Sequence, residues 1–203
     1  MSHLPPNSRP SGGFTLVELL TVMTIIGILA GLVLGTFAFA QEKGARSRAQ
    51  AEISAMEAAL ESYKADNGEY PRGANSDGLN STTTSNPSSS INSSRLLYQA
   101  LSGDGTNALV TTGGTPSDGR VDPGSKQYME FKPNQLITAG ASAYYIIDPW
   151  GFSYGYSTIN QRNLQTPTPP TTPAGFNPTF DLWSTGGQSA NTTDAKAKWL
   201  KNW

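Results

Sequence analysis

The chain has 203 residues, a formal net charge of −1, no cysteine and a single histidine, His3. The balance of 14 Lys and Arg against 15 Asp and Glu, with no visible basic patch, gives no electrostatic reason to expect a nucleic-acid partner. Without cysteine there is no disulfide, no thiolate nucleophile and no Cys-ligated metal. Apolar residues gather in the first third and Gly, Pro, Ser, Thr and Asn dominate the rest, which predicts one small, loop-rich domain on a long helix.

The most informative stretch is an apolar run, residues 19–40, that carries no charged side chain. As an α-helix it spans roughly 33 Å, about the thickness of the hydrocarbon core of a bilayer. Gly27, Gly31 and Gly35 recur every fourth residue within it, a spacing that lets helix backbones approach closely. One carboxylate, Glu18, stands at the start of the run, where insertion into lipid costs on the order of 2.5–3.5 kcal/mol and calls for a partner. We therefore predict a membrane anchor that is also an assembly element.

The segment before this run has the opposite order to an ordinary secretory signal, because the small residues Gly12 and Gly13 precede the apolar helix. Cleavage there would remove the leader and keep the helix. The segment 13–19 (GFTLVEL) resembles the prepilin cleavage and methylation motif of the type IV pilins and the type II secretion pseudopilins.

This resemblance implies that a prepilin peptidase cuts after Gly13 and that the new terminal residue, Phe14, is N-methylated. It also implies that Glu18 pairs with the Phe14 amine of a neighbouring subunit and sets the register of a filament. Such a pair is favoured in low dielectric, where an unpartnered carboxylate is costly. The alternative is an ordinary signal anchor in which the glutamate occurs by chance.

After the apolar run the pattern becomes amphipathic. One apolar face has spacings of three and four residues and contains Ala49, Ile53, Met56, Leu60 and Tyr63. A single helix is expected from about Phe14 to about Ala65, ended by Gly68 in a left-handed cap. The segment 63–71 (YKADNGEYP) resembles the one that ends this helix in the major pseudopilin of type II secretion.

The sequence after residue 71 predicts loops, a short helix and a small sheet. Residues 75–94, rich in Ser, Thr, Asn and Gly, are expected to form a mobile loop, and residues 95–101 a short helix. Strands are expected at residues 128–136, 143–148 and 152–157, and a last strand begins at Phe180. The turn 148–151 (DPWG) and the segment 180–187 (FDLWSTGG) again resemble the pseudopilin. The expected fold class is α+β, a long N-terminal helix packed on a small antiparallel sheet, which is pilin-like.

Three regions follow for the chain: a leader at residues 1–13 that is removed, the transmembrane and assembly half of the helix at 14–40, and a globular domain at 41–203. The globular domain includes the amphipathic half of the helix. More Lys and Arg follow the helix than precede it, which by the positive-inside rule would place the C-terminal side in the cytoplasm. The peptidase motif is more specific and implies a bacterial inner-membrane, single-pass protein with its C-terminal domain in the periplasm.

No catalytic activity is expected. The segment 151–155 (GFSYG) matches the nucleophile elbow of α/β-hydrolases, but the mature chain would contain no His to act as base. We interpret it as a strand. The four tryptophans could form a carbohydrate-binding face, but in a small domain they favour the core.

Calcium is the one plausible ligand, and it is implied by the resemblance alone. In the type II major pseudopilins the loop after the S-x-G turn binds Ca²⁺, which gives Ser184, Asn191 and Asp194 as candidate oxygen ligands. Gln188 stands where the family usually has Asp, and only Asp194 brings a charge, although Ca²⁺ prefers several hard oxygen ligands. A solvated loop without a cofactor is the competing interpretation.

The resemblance implies a structural subunit of a periplasmic pseudopilus in a type II secretion-like system, polymerising through its N-terminal helix to drive protein secretion. The expected partners are further copies of the chain, the prepilin peptidase, minor pseudopilins and the inner-membrane assembly platform. One alternative is a type IV pilus subunit for adhesion, motility or DNA uptake, which the lack of a C-terminal Cys pair disfavours. The other is a membrane-tethered binding domain that never polymerises.

Overall fold

The computed structural model describes residues 13–82, 90–105, 118–138, 144–165, 175–189 and 192–203. Its chain divides into two compact units, Met1–Lys43 and Gly44–Trp203. The expected leader lies outside the described residues except for Gly13.

Helix α1 runs from Leu16 to Asn67 and contributes to both units. The predicted helix is confirmed, with each end displaced by two residues. In the first unit every helical residue is exposed. In the second unit one face of the helix is buried, comprising Ala49, Glu52, Ile53, Met56, Ala59 and Leu60. Gly68 ends the helix at a φ of 82°, and its N–H donates to the Lys64 carbonyl at 2.7 Å, as the predicted left-handed cap requires.

The other elements belong to the second unit and are short. The helices are α2 (Ala74–Asp77), α3 (Ile91–Ser102), α4 (Ile159–Leu164) and α5 (Thr193–Ala197). The strands are β1 (Leu136–Thr138), β2 (Tyr144–Ile146), β3 (Gly155–Ser157), β4 (Asp181–Ser184) and β5 (Leu200–Lys201). Helix α3 confirms the short helix predicted at residues 95–101 and extends it at its start.

The strands form two antiparallel sheets, a pair β1–β2 and a three-stranded sheet with β4 between β3 and β5. In the second sheet Tyr156 lies opposite Leu182, and Trp183 lies opposite Lys201. The α+β fold class is confirmed. The predicted hairpin around the DPWG turn is also confirmed, since Ile147 and Ser153 form a bridge and the Tyr154 N–H donates to the Ile146 carbonyl at 3.2 Å.

The prediction of a mobile loop at residues 75–94 is wrong for the part that the structure describes. Helix α2 occupies its start and α3 begins at Ile91. Several small hydroxyl side chains are buried there, and the Ser94 hydroxyl donates to the Ile146 carbonyl at 2.8 Å. A low content of apolar side chains does not prevent packing here, because a serine that keeps its hydrogen bonds can be buried inside a domain.

The strand predicted at residues 128–136 is also wrong. The backbone N–H groups of Tyr128 and Met129 both donate to one carbonyl, that of Leu101, which a regular strand ladder does not allow. A 3₁₀ turn, Pro133–Gln135, follows, and β1 begins only at Leu136. The proline has no N–H to give to a ladder, so the turn chemistry prevails over the strand composition.

The core of the second unit lies where the amphipathic half of α1 and helix α3 meet both sheets. Its buried members are mainly aliphatic and tyrosine side chains, including Ile53, Met56, Leu60, Leu97, Leu101, Ile146, Tyr154, Tyr156 and Leu182. A second, smaller cluster contains Trp183 and Trp199, whose rings stack at 6.2 Å. The prediction that tryptophans serve as packing residues is confirmed for these two.

Substitution of Gly155 tests the packing of β3 on β4. A Cβ at this position would overlap the indole ring of Trp183, which is itself buried. We expect Gly155→Ala to lower the free energy of unfolding by about 3 kcal/mol because the core must be overpacked or shifted. The measurement is chemical denaturation of the chain in detergent micelles, followed by tryptophan fluorescence.

The matched control is Gly44→Ala in α1, where a Cβ meets no atom within 4 Å. Alanine is favoured over glycine inside a helix by about 1 kcal/mol, so this variant should be as stable as the wild type or more stable. Equal stability of Gly155→Ala and the wild type would contradict the register of β3 against β4.

Candidate functional site

The first turn of α1 holds Glu18 in a capping box with Thr15. The Thr15 hydroxyl and the Thr15 backbone N–H donate to Glu18 Oε2 at 2.8 and 2.9 Å. In return the Glu18 N–H donates to the Thr15 hydroxyl at 3.2 Å. These reciprocal bonds satisfy backbone N–H groups that a helix start otherwise leaves without partners. Glu18 therefore has a partner in its own chain, at the helix end where the macrodipole favours a negative charge.

Thr15 was not among the site residues predicted from the sequence. The signal was present, because a threonine three residues before a glutamate at the start of an apolar helix is the pattern of a capping box. Both bonds to the carboxylate end on Oε2, and within the part of the chain that the structure describes Oε1 takes no donor. One oxygen of Glu18 is thus committed to the helix start and the other is available.

The two residues predicted for processing, Gly13 and Phe14, lie just before the helix. Both are exposed, and Phe14 as a whole residue is 85% accessible. Neither is helical, so the bond between them lies in backbone that a peptidase can reach. The structure brings Thr15 and Glu18 together at this point and places Phe14 one residue before them.

The apolar half of α1 exposes a continuous set of large side chains. They are Leu16, Val17, Leu19, Leu20, Val22, Met23, Ile25, Ile26, Ile28, Leu29, Leu32, Val33, Leu34, Phe37 and Phe39. The threonine hydroxyls within the run fold back onto the backbone, as Thr21 donates to the Val17 carbonyl and Thr24 to the Leu20 carbonyl, each at 2.8 Å. Polar groups that are satisfied inside the helix suit a lipid environment. Among the described residues, α1 is the helix long and apolar enough to cross a membrane.

A second polar cluster fixes α1 in the globular unit. Glu52 is only 9% exposed and accepts from Arg48 Nε at 2.8 Å, Gln135 Nε2 at 2.9 Å and the Tyr154 hydroxyl at 2.6 Å. Burial, together with the Glu52 carboxylate, raises the pKa of Tyr154, so its hydroxyl stays protonated and donates. The network joins the helix to the hairpin and to the turn before β1. The sequence pattern did not indicate it, because its members are far apart in the chain.

The DPWG turn is organised by the carboxylate of Asp148. Its Oδ1 accepts from the backbone N–H groups of Trp150 at 3.0 Å and Phe152 at 2.9 Å, and Oδ2 accepts from the Ser184 hydroxyl at 2.6 Å. Burial raises the pKa of Asp148 above its ordinary value, although these hydrogen bonds oppose the shift. Gly151 completes the turn at a φ of 86°, a conformation that favours glycine.

The candidate calcium ligands occupy different environments. Ser184 is buried and donates to Asp148, whereas Asp194 is exposed in the first turn of α5. Asn191 lies outside the described residues. In the described ranges no three Asp, Glu, His or Cys side chains come together as a metal site. The calcium site stays a prediction.

The G-x-S-x-G match falls in the hairpin. Ser153 pairs with Ile147 in a β-bridge, and β3 begins two residues later. A nucleophile elbow needs a strand-to-helix turn, so the interpretation of this segment as strand is confirmed.

Comparison with known proteins finds two family models along the chain. The model described as the prokaryotic N-terminal methylation motif matches residues 8–34, and the model described as type II secretion system (T2SS), protein G matches residues 37–107. No solved structure matches the chain.

Several curated relatives carry the name "Type II secretion system core protein G". That of Aeromonas hydrophila is 44% identical over 63 residues, which is 31% of this chain and 44% of the relative. That of Escherichia coli (strain K12) is 46% identical over 59 residues, which is 29% of this chain and 41% of the relative. That of Vibrio cholerae is 43% identical over 63 residues, which is 31% of this chain and 43% of the relative. The chain spans less than half the length of these curated relatives.

Substitution of Thr15 tests whether the capping box stabilises the first turn of α1. Valine has a similar shape but no hydroxyl, and losing an N-cap costs about 1 kcal/mol, or roughly a five-fold change in an opening equilibrium. In Thr15→Val we expect the amides of the first turn of α1 to exchange about five times faster with solvent deuterium in detergent micelles. Thr15→Ser is the control and should exchange like the wild type. Equal exchange in all three chains would contradict the capping box.

The pH dependence of the free energy of unfolding tests the raised pKa of Asp148. A carboxyl whose pKa is higher in the folded than in the unfolded state contributes most when it is protonated, and this contribution is lost as the pH rises through the folded pKa. The unfolding free energy of the wild type relative to Asp148→Asn should therefore fall as the pH rises above about 4. Urea denaturation of both chains across a pH series measures this difference. A difference that grows with pH would contradict the shift.

Proposed function

We propose that the chain is a member of the type II secretion protein G family, whose model matches residues 37–107 after the methylation motif matched at residues 8–34, and that it is a structural subunit of a periplasmic pseudopilus. The subunit polymerises through the apolar half of α1. One observation carries the proposal: this half-helix is exposed along its whole length, and its one carboxylate stands at its start. A helix of this kind needs lipid or other copies of itself around it.

The first step is anchoring in a membrane. The methylation motif and the apolar helix near the N-terminus, the one helix of this kind among the described residues, fit a single-pass anchor. We place this anchor in the bacterial inner membrane with the second unit in the periplasm. Cleavage by a prepilin peptidase after Gly13 and methylation of Phe14 then leave the capped helix as the start of the mature chain.

The second step is exchange of lipid contacts for helix contacts. Lipid tails are as apolar as leucine, so burial of apolar area alone does not drive helices together in a bilayer. Close packing does, and a Cβ at Gly27, Gly31 or Gly35 would meet no atom of the chain within 4 Å. These positions give a neighbouring helix room to approach the backbone.

The third step sets the register. In the capping box Glu18 uses Oε2, which leaves Oε1 for the α-ammonium of Phe14 in the next subunit. A charge-assisted bond of this kind is short and strong, and in low dielectric its loss leaves an unpaired carboxylate. Each subunit gives its Glu18 carboxylate to one neighbour and its Phe14 amine to another, so the proposed contact is heterologous and generates an open filament.

The proposed partners follow from these steps. They are further copies of the chain, the prepilin peptidase, minor pseudopilins and an inner-membrane assembly platform. The subunit acts by assembly in protein secretion, and no catalytic role is proposed.

The assembly step is tested by substitution of Glu18. After expression with a prepilin peptidase, wild-type membranes treated with an amine crosslinker should give a ladder of oligomers. Glu18→Ala should still be processed but lose most of the ladder, because its subunits cannot fix the register. Glu42→Ala is the matched control, since it removes a carboxylate of the same unit outside the apolar run and should keep the ladder.

The outcomes separate the three functions under consideration. A normal ladder in Glu18→Ala would contradict the proposed contact, and monomers alone in the wild type would favour a tethered binding domain. Deletion of the gene in its source organism should abolish export of a secreted protein and leave surface pili intact. Loss of pili with normal export would instead favour a type IV pilus subunit.

A further inference from the structure

We propose that residues 196–203, together with Phe176, dock on the headgroups of anionic phospholipids. Residues 196–203 comprise the end of α5 and strand β5 and are called the basic segment. The contact depends on the membrane anchor of the proposed function and is a second, reversible attachment of the chain to the same bilayer.

Positive charge is concentrated around the basic segment. Residues 194–203 contain three lysines and one aspartate, so their side chains carry a net charge of +2 in a chain whose formal net charge is −1. Arg46 adds a further cation, since its Nη2 lies 2.9 Å from the Lys198 carbonyl oxygen. The nearby residues outside the described ranges, 166–174 and 190–191, have no charged side chain. A local excess of this kind attracts an anionic surface.

The three lysines differ in what their ammonium groups already contact. Lys198 is exposed, and within the described residues its ammonium has no hydrogen bond or ion pair. The Lys201 ammonium lies 5.3 Å from the centre of the Trp203 ring. Lys196 holds α5 in place, because its ammonium donates to the Thr82 carbonyl at 2.6 Å. Lys198 is therefore the lysine that can give its whole charge to a headgroup phosphate.

An aromatic pair lies beside these lysines. The rings of Phe176 and Trp203 stack at 4.4 Å with an angle of 8° between their planes, and Phe176 is 52% exposed. The Lys201 ammonium contacts the same Trp203 ring. Aromatic rings next to basic side chains are typical of surfaces that bind at the interface between a membrane and water. The pair gives the basic segment an apolar contact to add to its charge.

The carboxylates around the basic segment do not cancel its charge. Asp181 is buried and accepts from the Phe176 N–H at 2.9 Å, so it faces the interior of the unit. Glu42 in α1 already has a partner of its own. Asp194 is exposed in the first turn of α5 and is included in the net charge given above.

The length of the chain keeps the basic segment near the bilayer. Arg46 follows Ala40, the last residue of the apolar run, by six positions. Six residues span about 9 Å as a helix and about 20 Å when fully extended. The Lys198 carbonyl, in contact with the Arg46 side chain, is thus tethered close to the end of the proposed anchor. Because docking is then intramolecular, a weak attraction is sufficient.

Headgroup contact is measured on the full chain in vesicles, with a fluorophore attached inside the basic segment. The chain has no cysteine, so Ala197→Cys provides one exposed labelling site beside Lys198. The vesicles contain either about one third phosphatidylglycerol in phosphatidylcholine or phosphatidylcholine alone, and each includes a lipid with a nitroxide quencher on its headgroup. We expect strong quenching in the anionic vesicles and little in the neutral ones. The difference should disappear in about 1 M salt, where the screening length falls to about 3 Å.

Substitution of Lys198 tests the charge itself. Lys198→Gln should weaken the docking equilibrium about five-fold, because one lysine near an anionic membrane contributes that much to binding. Lys198→Arg keeps the charge and should dock like the wild type. Lys132→Gln removes an exposed lysine of the same unit outside the basic segment and is the matched control, which should leave the quenching unchanged.

Equal quenching in anionic and neutral vesicles would overturn the proposal, and so would a Lys198→Gln chain that docks like the Lys132→Gln control. Shielding of the label that grows with the amount of protein per vesicle, whatever the lipid, would show instead that the segment binds another copy of the chain. Alkaline carbonate separates this contact from the anchor. A chain that resists extraction but shows no quenching contradicts the headgroup contact alone, whereas a chain that is extracted contradicts the proposed anchor as well.

Discussion

The carboxylate of Glu18 constrains how the apolar half of α1 can be buried, whether in a membrane or against other helices. Glu18 lies in the first turn of a helix whose next 22 residues, 19–40, carry no charge, so the desolvation of its carboxylate has to be offset wherever that part of the helix is buried. In the isolated chain the capping box with Thr15 offsets it, and in the proposed filament the amine of a neighbouring Phe14 adds to it. Because the carboxylate has two oxygens, the two interactions need not exclude one another. The same residue can thus stabilise the membrane-embedded subunit and direct its assembly.

In the second unit, too, carboxylates that are removed from water are stabilised by hydrogen-bond donors of the chain. This unit is rich in loops, and its buried carboxylates each gather several donors from distant segments. Asp181 accepts from the backbone of Phe176 and Asn177 at 2.9 and 2.7 Å, and Asp104 accepts from Tyr98, Asp118 and Gly119. Charge-assisted bonds to backbone N–H groups fix loops that bury little apolar area. Arg46 makes the opposite kind of contact, because its charged guanidinium donates to a backbone carbonyl, that of Lys198.

How far the sequence could predict the structure depended on the range of the interactions involved. The long helix, its cap at Gly68 and the DPWG hairpin were predictable, because periodicity and turn chemistry act over a few residues. The capping box was equally local and could have been read from the spacing of Thr15 and Glu18. The Glu52 network could not, since Gln135 and Tyr154 approach it only once the fold exists. The buried serines around α2 and α3 were missed for the same reason, as the partners of Ser94 and Ser76 are Ile146 in β2 and Thr158 just after β3, both distant in the chain.

The central claim is that Glu18 of one subunit pairs with the Phe14 amine of another. Filaments assembled from a mixture of two labelled subunits test it directly, one with a ¹⁵N-labelled Phe14 amine and the other with a ¹³C-labelled Glu18 carboxylate. Solid-state nuclear magnetic resonance then measures the dipolar coupling between the two labels, which reports only contacts across subunits. We expect a coupling that corresponds to a separation of about 3–4 Å between the two labelled atoms. Filaments that form with no such coupling would contradict it.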